Sequence, residues 1–313
     1  MLKRFFLRLL FAAFAAAVLW GFITCPPEIS MPTVYEGERQ ARTYVITPPV
    51  ARLWPASGDK TQRSVDESAP IMETEGGDIL GLMYHDLTVD AARVNEWNTT
   101  PENLRQNILS LLSLGYLPLS VEDYIEGNYS LAQDYFIVTF DDGYLSNWTL
   151  AQPVLQSLGV PGAVFVITSG VYADHHMSWE QLRQARRDGV LSIYSHTHNH
   201  INAQTVLGEV FLADARRAEV ELSRNLGEGG YKVLSYPNGA CTQITMQALK
   251  REGYDLVVIQ ERPDWYDPET DGKILLRVNV PGMDADMLDI VNYSRERSGL
   301  SRLTPPAAEK NRN

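Results

Sequence analysis

The sequence predicts an α/β protein, a distorted or incomplete (β/α) barrel of about seven parallel strands, and three observations carry that expectation. From Ile79 onward, short apolar runs alternate with amphipathic stretches, which is the sequence form of strand and helix units repeated around a parallel sheet. The chain has no Gly-rich phosphate loop, which argues against an open nucleotide-binding sheet. The residues able to do chemistry follow directly on apolar runs, at strand carboxyl ends, where parallel barrels gather their reactive groups.

In chain order, the expected strands are residues 79–84, 135–140, 162–168, 191–194, 232–236, 256–259 and 274–278. Between them, Pro101 and Glu102 open a helix that Thr100 can cap and Gly115 ends. Further helices fit 146–158, stopped by Gly159, then 179–187, 207–226, 244–252 and 287–297. No internal repeat or low-complexity tract interrupts the pattern.

Upstream of this domain the composition changes. Lys3, Arg4 and Arg8 precede an almost unbroken apolar run from Leu9 to Ile23, so residues 1–25 read as an export signal or membrane anchor. The run approaches the ~20 residues that span a bilayer, and an uncleaved anchor fits better than lipidation of Cys25, because bulky residues precede that cysteine. Residues 26–77 carry Pro26, Pro27, Pro32, Pro48, Pro49, Pro55 and Pro70 and read as a tether, with room for a short strand at 43–46. The expected organisation is therefore leader 1–25, Pro-rich linker 26–77, catalytic domain 78–300 and a disordered tail 301–313, on an exported, membrane-anchored or secreted protein facing the cell envelope or exterior.

The formal charge of -12 disfavours nucleic acid as a partner, since phosphate backbones recruit Lys and Arg. Two cysteines, Cys25 and Cys241, cannot build a disulfide framework or a cysteine-rich zinc site, so any metal must rest on His and carboxylate. Two clusters supply those groups. The apolar run 136–140 ends abruptly in Asp141-Asp142-Gly143, where Gly143 can let both carboxylates turn toward one pocket. Asp-Gly pairs also simply begin turns, so this cluster alone leaves both readings open. The run 191–194 is followed by Ser195-His196-Thr197-His198-Asn199-His200, which holds three of the six histidines. Two histidines four apart can converge on one metal if the chain turns helically, and an added Asp makes three ligands with open positions. His198, between them, either points away or supports the site from behind.

Thr139-Phe140-Asp141-Asp142-Gly143 and His196-Thr197-His198-Asn199-His200 resemble, in order and spacing, the first two motifs of NodB-type polysaccharide deacetylases, carbohydrate esterase family four. The resemblance covers about residues 79–298 and implies the NodB-like barrel and hydrolysis of N-acetyl groups from an amino-sugar polymer such as peptidoglycan, poly-N-acetylglucosamine or a chitin-like glycan. It further implies Asp141 as base and Asp142, His196 and His200 as ligands of a divalent metal, zinc first, with cobalt or nickel as alternatives.

The later motifs depart from the family. Its third motif reads Arg, any residue, Pro, an aromatic and Gly, whereas this chain has Ser235-Tyr236-Pro237-Asn238-Gly239. The arginine that positions the catalytic Asp must then come from elsewhere. Arg277 is the candidate, its alternative being a solvated strand-end charge. Tyr236 and Pro237 are expected to supply pocket wall and an oxyanion-binding amide. Asp264-Trp265 matches the end of the fourth motif, although a lone Trp265 can equally cap the core. No histidine follows His200, so the family's late general acid has no counterpart. His85, after the first strand, is the expected donor, with His198 as a second choice; His175 and His176 sit in a loop. The same apparatus also suits an O-acetyl esterase on a glycan, or a glycan-binding protein that keeps the metal site without catalysis. A glycosidase using Asp141 and Asp142 fits poorly, because its carboxylates must stand ~5 Å or more apart across the scissile bond.

Overall fold

Alternation along the strands decides which side chains enter the barrel and which meet the helices. The computed structural model describes residues 77–304 except Gly229 and Asp284. The elements are β1 (Ile79–Tyr84), β2 (Asp86–Leu87), β3 (Asn98–Thr99), α1 (Pro101–Ser113), β4 (Leu117–Pro118), α2 (Val121–Glu126), β5 (Tyr135–Phe140), α3 (Gln152–Leu158) and β6 (Gly162–Val166). They continue with α4 (Trp179–Arg187), β7 (Leu191–Ser195), α5 (Gly208–Leu226), β8 (Val233–Ser235), α6 (Gln243–Arg251), β9 (Leu256–Ile259), α7 (Pro268–Asp271), β10 (Ile274–Asn279) and α8 (Met287–Arg297).

Seven strands run parallel in the order β1-β10-β9-β8-β7-β6-β5, and β1 pairs with β5 from Ile79↔Tyr135 to Tyr84↔Phe140. The ring is therefore closed, not incomplete. Its distortion lies at the seam between β7 and β8, where one register pair, Ser195↔Leu234, joins the strands. Outward side chains such as Leu82, Val138 and Phe140 pack under Leu104, Ile108 and Leu111 of α1. Inward Ile137, Ala163, Phe165, Val233, Leu256, Val258 and Leu275 fill the barrel. The short α2 plugs the amino end: the Tyr124 hydroxyl donates to the Ile274 carbonyl at 2.7 Å, and Glu122 accepts from the hydroxyls of Ser192 and Tyr194.

The expected strands and helices reappear with ends shifted by at most two residues. One helix departs from expectation. The stretch 146–158 opens with a π-turn, Asn147–Ala151, before α3 begins. Pro153 brings no N–H to the ladder, and the Gln152 N–H reaches back five residues to the Asn147 carbonyl. Sequence patterning missed β2, β3, β4, α2 and α7, which are too short to show a period. The leader 1–25, the linker up to residue 76, its candidate strand at 43–46 and the tail beyond 304 lie outside the described residues. Among the described residues, no helix is long and apolar enough to cross a membrane.

Candidate active site

The inward parity of the strands, carried one or two residues past their carboxyl ends, assembles a cleft of about 410 Å³. Its lining includes Met83 near the end of β1 and His85 just after it, Asp141 and Asp142 after β5, His196 and His200 after β7, Asn238 and Gly239 after β8, and Gln260 after β9. Asp141 keeps the inward parity of Ile137 and Thr139. Asp142 would point outward by alternation, but its backbone turns into the left-handed region (φ 72°) and Gly143 follows at φ 85°, which brings the second carboxylate to the same cleft.

Below the cleft, Arg277 of β10 grips Asp141 through two hydrogen bonds of 2.7 Å, one to each carboxylate oxygen. The same guanidinium donates to the Thr139 hydroxyl at 2.9 Å and the Ser235 hydroxyl at 2.8 Å, and lies 5.3 Å from the Phe165 ring centroid. Both charges are 2% exposed, so each depends on the other for solvation. Arg277 also needs room, and Gly81, its register partner on β1, provides it: a Cβ there would stand 2.5 Å from the Leu276 carbonyl oxygen and 2.9 Å from Arg277 Cγ. Burial pushes the Asp141 carboxyl up, but the opposing charge of Arg277 and its bidentate bond prevail and hold it well below the usual carboxylate range.

Beside this clamp, Asp142, His196 and His200 bring one ligand atom each to within 4.8 Å of one another. His196 Nδ1 lies 2.9 Å from the Ser235 carbonyl oxygen, a contact that assigns the proton to Nδ1 and turns the Nε2 lone pair into the cleft. That Nε2 stands 3.6 Å from Asp141 and 3.7 Å from Asp142, while His200 Nε2 is 3.9 Å from Asp142. Burial lowers the pKa of His196, which keeps it neutral and free to ligate. Two imidazoles and a carboxylate, one of the imidazoles fixed from behind by a backbone carbonyl, fit a divalent transition metal. His200 reaches the group because its own backbone and that of Thr197 take positive φ, 56° and 65°. The Asp214 carboxylate accepts from the N–H groups of His198 and Asn199 and holds this turn.

His85 lines the cleft, packs edge-on to Trp97 with ring centroids 4.8 Å apart, and has a buried Nδ1 without a hydrogen-bond partner. Burial lowers its pKa, against the raising pull of Asp141 and Asp142. Tyr144 forms another wall; burial first, then Asp142 and Asp86, pushes its hydroxyl up to about 12.

Other expected site residues lie elsewhere. The Tyr236 ring is fully buried and stacks on Phe211 at 5.1 Å, because Ser235 takes the inward position and Tyr236 the outward one. Its N–H donates to the Val258 carbonyl at 3.0 Å and has no proton to offer an oxyanion. Pro237 is buried and carries no N–H, so the cleft surface of this turn belongs to Asn238 and Gly239. Trp265 stands in the loop after β9, partly exposed and outside the cleft lining. His198 turns away, its Nδ1 2.8 Å from the Thr168 hydroxyl. His175 and His176 also lie outside the cleft lining, and the His176 ring stacks on Tyr144. Reasoning from sequence missed Asn95, Trp97 and Asn98, which lie in a loop without period, and Tyr144 and Gln260; strand parity alone would have found Gln260.

The closed seven-stranded parallel barrel has the NodB-like deacetylase fold, with paired carboxylates and histidines at its carboxyl end, and comparison with known proteins points the same way. Residues 129–257 match the family model described as polysaccharide deacetylase. YxkH of Bacillus subtilis (strain 168), whose name places it among the polysaccharide deacetylases, is 28% identical over 212 residues, covering 64% of this chain and 72% of that protein. The poly-β-1,6-N-acetyl-D-glucosamine N-deacetylase of Escherichia coli (strain K12) is 24% identical over 56% of this chain, but the match spans only 33% of that longer enzyme. Among solved structures, the Streptococcus pyogenes deacetylase PplD in complex with acetate shares the fold, with a TM-score of 0.58 and 22% identity over 67% of this chain and 95% of its own.

Proposed function

We propose that this domain is a metal-dependent N-deacetylase of an extracytoplasmic amino-sugar polymer, poly-N-acetylglucosamine first among the candidates. One observation carries the reading: a single cleft holds an ionised, arginine-clamped Asp141 and the Asp142–His196–His200 donor set, with His196 adjoining both carboxylates. The E. coli relative's named substrate supports the choice of polymer, and the basic, apolar start of the chain supports action outside the cytoplasm.

A divalent ion held by Asp142, His196 and His200, zinc by the chemistry of the donors, supplies Lewis acidity to water and to the acetamide carbonyl. The chain's own residues do the rest. Asp141 takes the proton as water adds to the carbonyl carbon, and Arg277 keeps the carboxylate aimed and ionised. The backbone at Asn238, on the opposite strand end, offers its amide to the developing oxyanion. His85 delivers a proton to the sugar nitrogen as the C–N bond breaks, leaving acetate and a free amine.

The test is acetate release by the full chain from β-1,6-linked N-acetylglucosamine oligomers, before and after chelation and after adding back zinc, cobalt or nickel. Release that chelation abolishes and a metal restores is the expected result. Release indifferent to chelator, or release only from O-acetylated glycans, contradicts the proposal.

A further inference from the structure

Trp97 is half exposed at the lip of the cleft, an uncommon place for the largest apolar side chain. The turn that carries it is braced from every side. Asn95 Oδ1 accepts from the N–H groups of Trp97 at 2.8 Å and Asn98 at 3.0 Å. The Trp97 carbonyl accepts from Asp86 in the short β2–β3 pairing. From the far side, the Gly282 N–H donates to the Asn95 carbonyl at 3.0 Å, and a Cβ on Gly282 would overlap the backbone of Asn95 and Asn98. Asn103 of α1 then ties the Gly282 carbonyl at 2.8 Å. A turn fixed this firmly holds the indole where a ligand meets it without further ordering cost.

The surroundings name the ligand class. Besides the indole, the cleft lining includes Asn98, Asp86 and Gln260, amides and a carboxylate suited to hydroxyl groups, and Tyr144 as a second aromatic wall. An apolar ring face beside several hydrogen-bonding groups matches a pyranose, which presents C–H bonds on one face and hydroxyls around its edge. The indole also touches His85, so a sugar on Trp97 adjoins the reacting position.

We propose that Trp97 is a stacking platform for the sugar ring adjacent to the one being deacetylated, so that the cleft selects a pyranose polymer over a single acetylated sugar. This rests on the deacetylase reading for its reaction but not for its binding, and the test separates the two. Full-chain wild type, Trp97→Phe and Trp97→Ala are compared on N-acetylglucosamine oligomers of increasing length, by acetate release and by tryptophan fluorescence titration. In Trp97→Ala the KM for the longer oligomers is expected to rise about tenfold, equivalent to about 1.4 kcal/mol, and the gain from chain length to shrink. Trp97→Phe should recover most of the affinity, while the oligomer-induced fluorescence change of wild type disappears from it. Trp97-dependent binding without acetate release would overturn the deacetylase reading and uphold the platform. A KM unchanged in both variants, or a fall in kcat alone, would overturn the platform and leave the indole a shield for His85.

Discussion

The two ends of the barrel are built on opposite terms. At the amino end, the left-handed turns that finish α3 and α4 fall on Gly159 and Gly189, which take positive φ without strain, and the polar atoms of the α2 plug are paired. At the carboxyl end, positive φ falls not only on Gly143 and Gly239 but also on residues with side chains. All six such residues among those described, Asp142, Tyr172, His175, Thr197, His200 and Asn238, lie in loops after β5 to β8. Each conformation costs of order ~1–3 kcal/mol, and the same end leaves His85 Nδ1 and Asn279 Oδ1 buried without partners. The barrel thus keeps relaxed backbone at its amino end and tolerates strain at the end that carries the cleft.

Arg277 joins the two regimes, and its removal is expected to have the largest effect. Arg277→Ala leaves Asp141 buried and unpaired, and should cost about 3–5 kcal/mol in urea unfolding and at least about a hundredfold in acetate release. Wild-type stability in this variant would show that the clamp is dispensable. Gly81→Ala tests the same clamp from outside, since its Cβ collides with Arg277 and the adjoining backbone. Overpacking should cost about 1–3 kcal/mol, with kcat falling more than KM changes; unaltered kinetics would mean that Arg277 can shift without moving Asp141.

Acidification sharpens the contrast further. Burial holds the His196 pKa below its ordinary 6.5, so below that pH the unfolded chain binds protons that the folded chain refuses. Stability of the metal-free protein should fall as the pH drops below 6.5, by at most about 1.4 kcal/mol per pH unit from this group, and less in His196→Gln. Asp141 has the opposite chemistry and a lower window: its folded pKa lies below the ordinary carboxylate value of 3.8, so its contribution is intact above that pH and is lost only in stronger acid. A urea midpoint that stays flat down to pH 5 would contradict the assignment. The smallest effect belongs to the amino end. Glu122→Gln weakens its bonds to Ser192 and Tyr194 and should cost about 1 kcal/mol without altering kcat. A loss of activity there would break the division between the two ends.

The strand frame was legible in the sequence because buried parallel strands are written as apolar runs, and the two clusters stood out because Asp141-Asp142 and His196 to His200 interrupt such runs with groups too costly to bury unpaired. Ser235 in the place of the family arginine pointed to a replacement, and the structure brings Arg277 to Asp141 from another strand. Tyr236 was misplaced because motif position was followed where alternation should have been: Ser235 faces in, so Tyr236 faces out. The short elements, the positive φ values and the braced turn under Trp97 leave no periodic trace. They arise from contacts between distant segments, such as Gly282 against Asn95, which a linear reading does not contain.

The most direct test of the central claim, that Asp141 does chemistry while Asp142, His196 and His200 hold metal, is to titrate zinc into Asp141→Asn and His200→Ala and to assay acetate release from the same samples. The account predicts that Asp141→Asn binds one ion as wild type does yet loses at least about a hundredfold in release, while His200→Ala loses the ion and the activity together. Equal zinc affinity in His200→Ala and wild type, or wild-type release from Asp141→Asn, would contradict it.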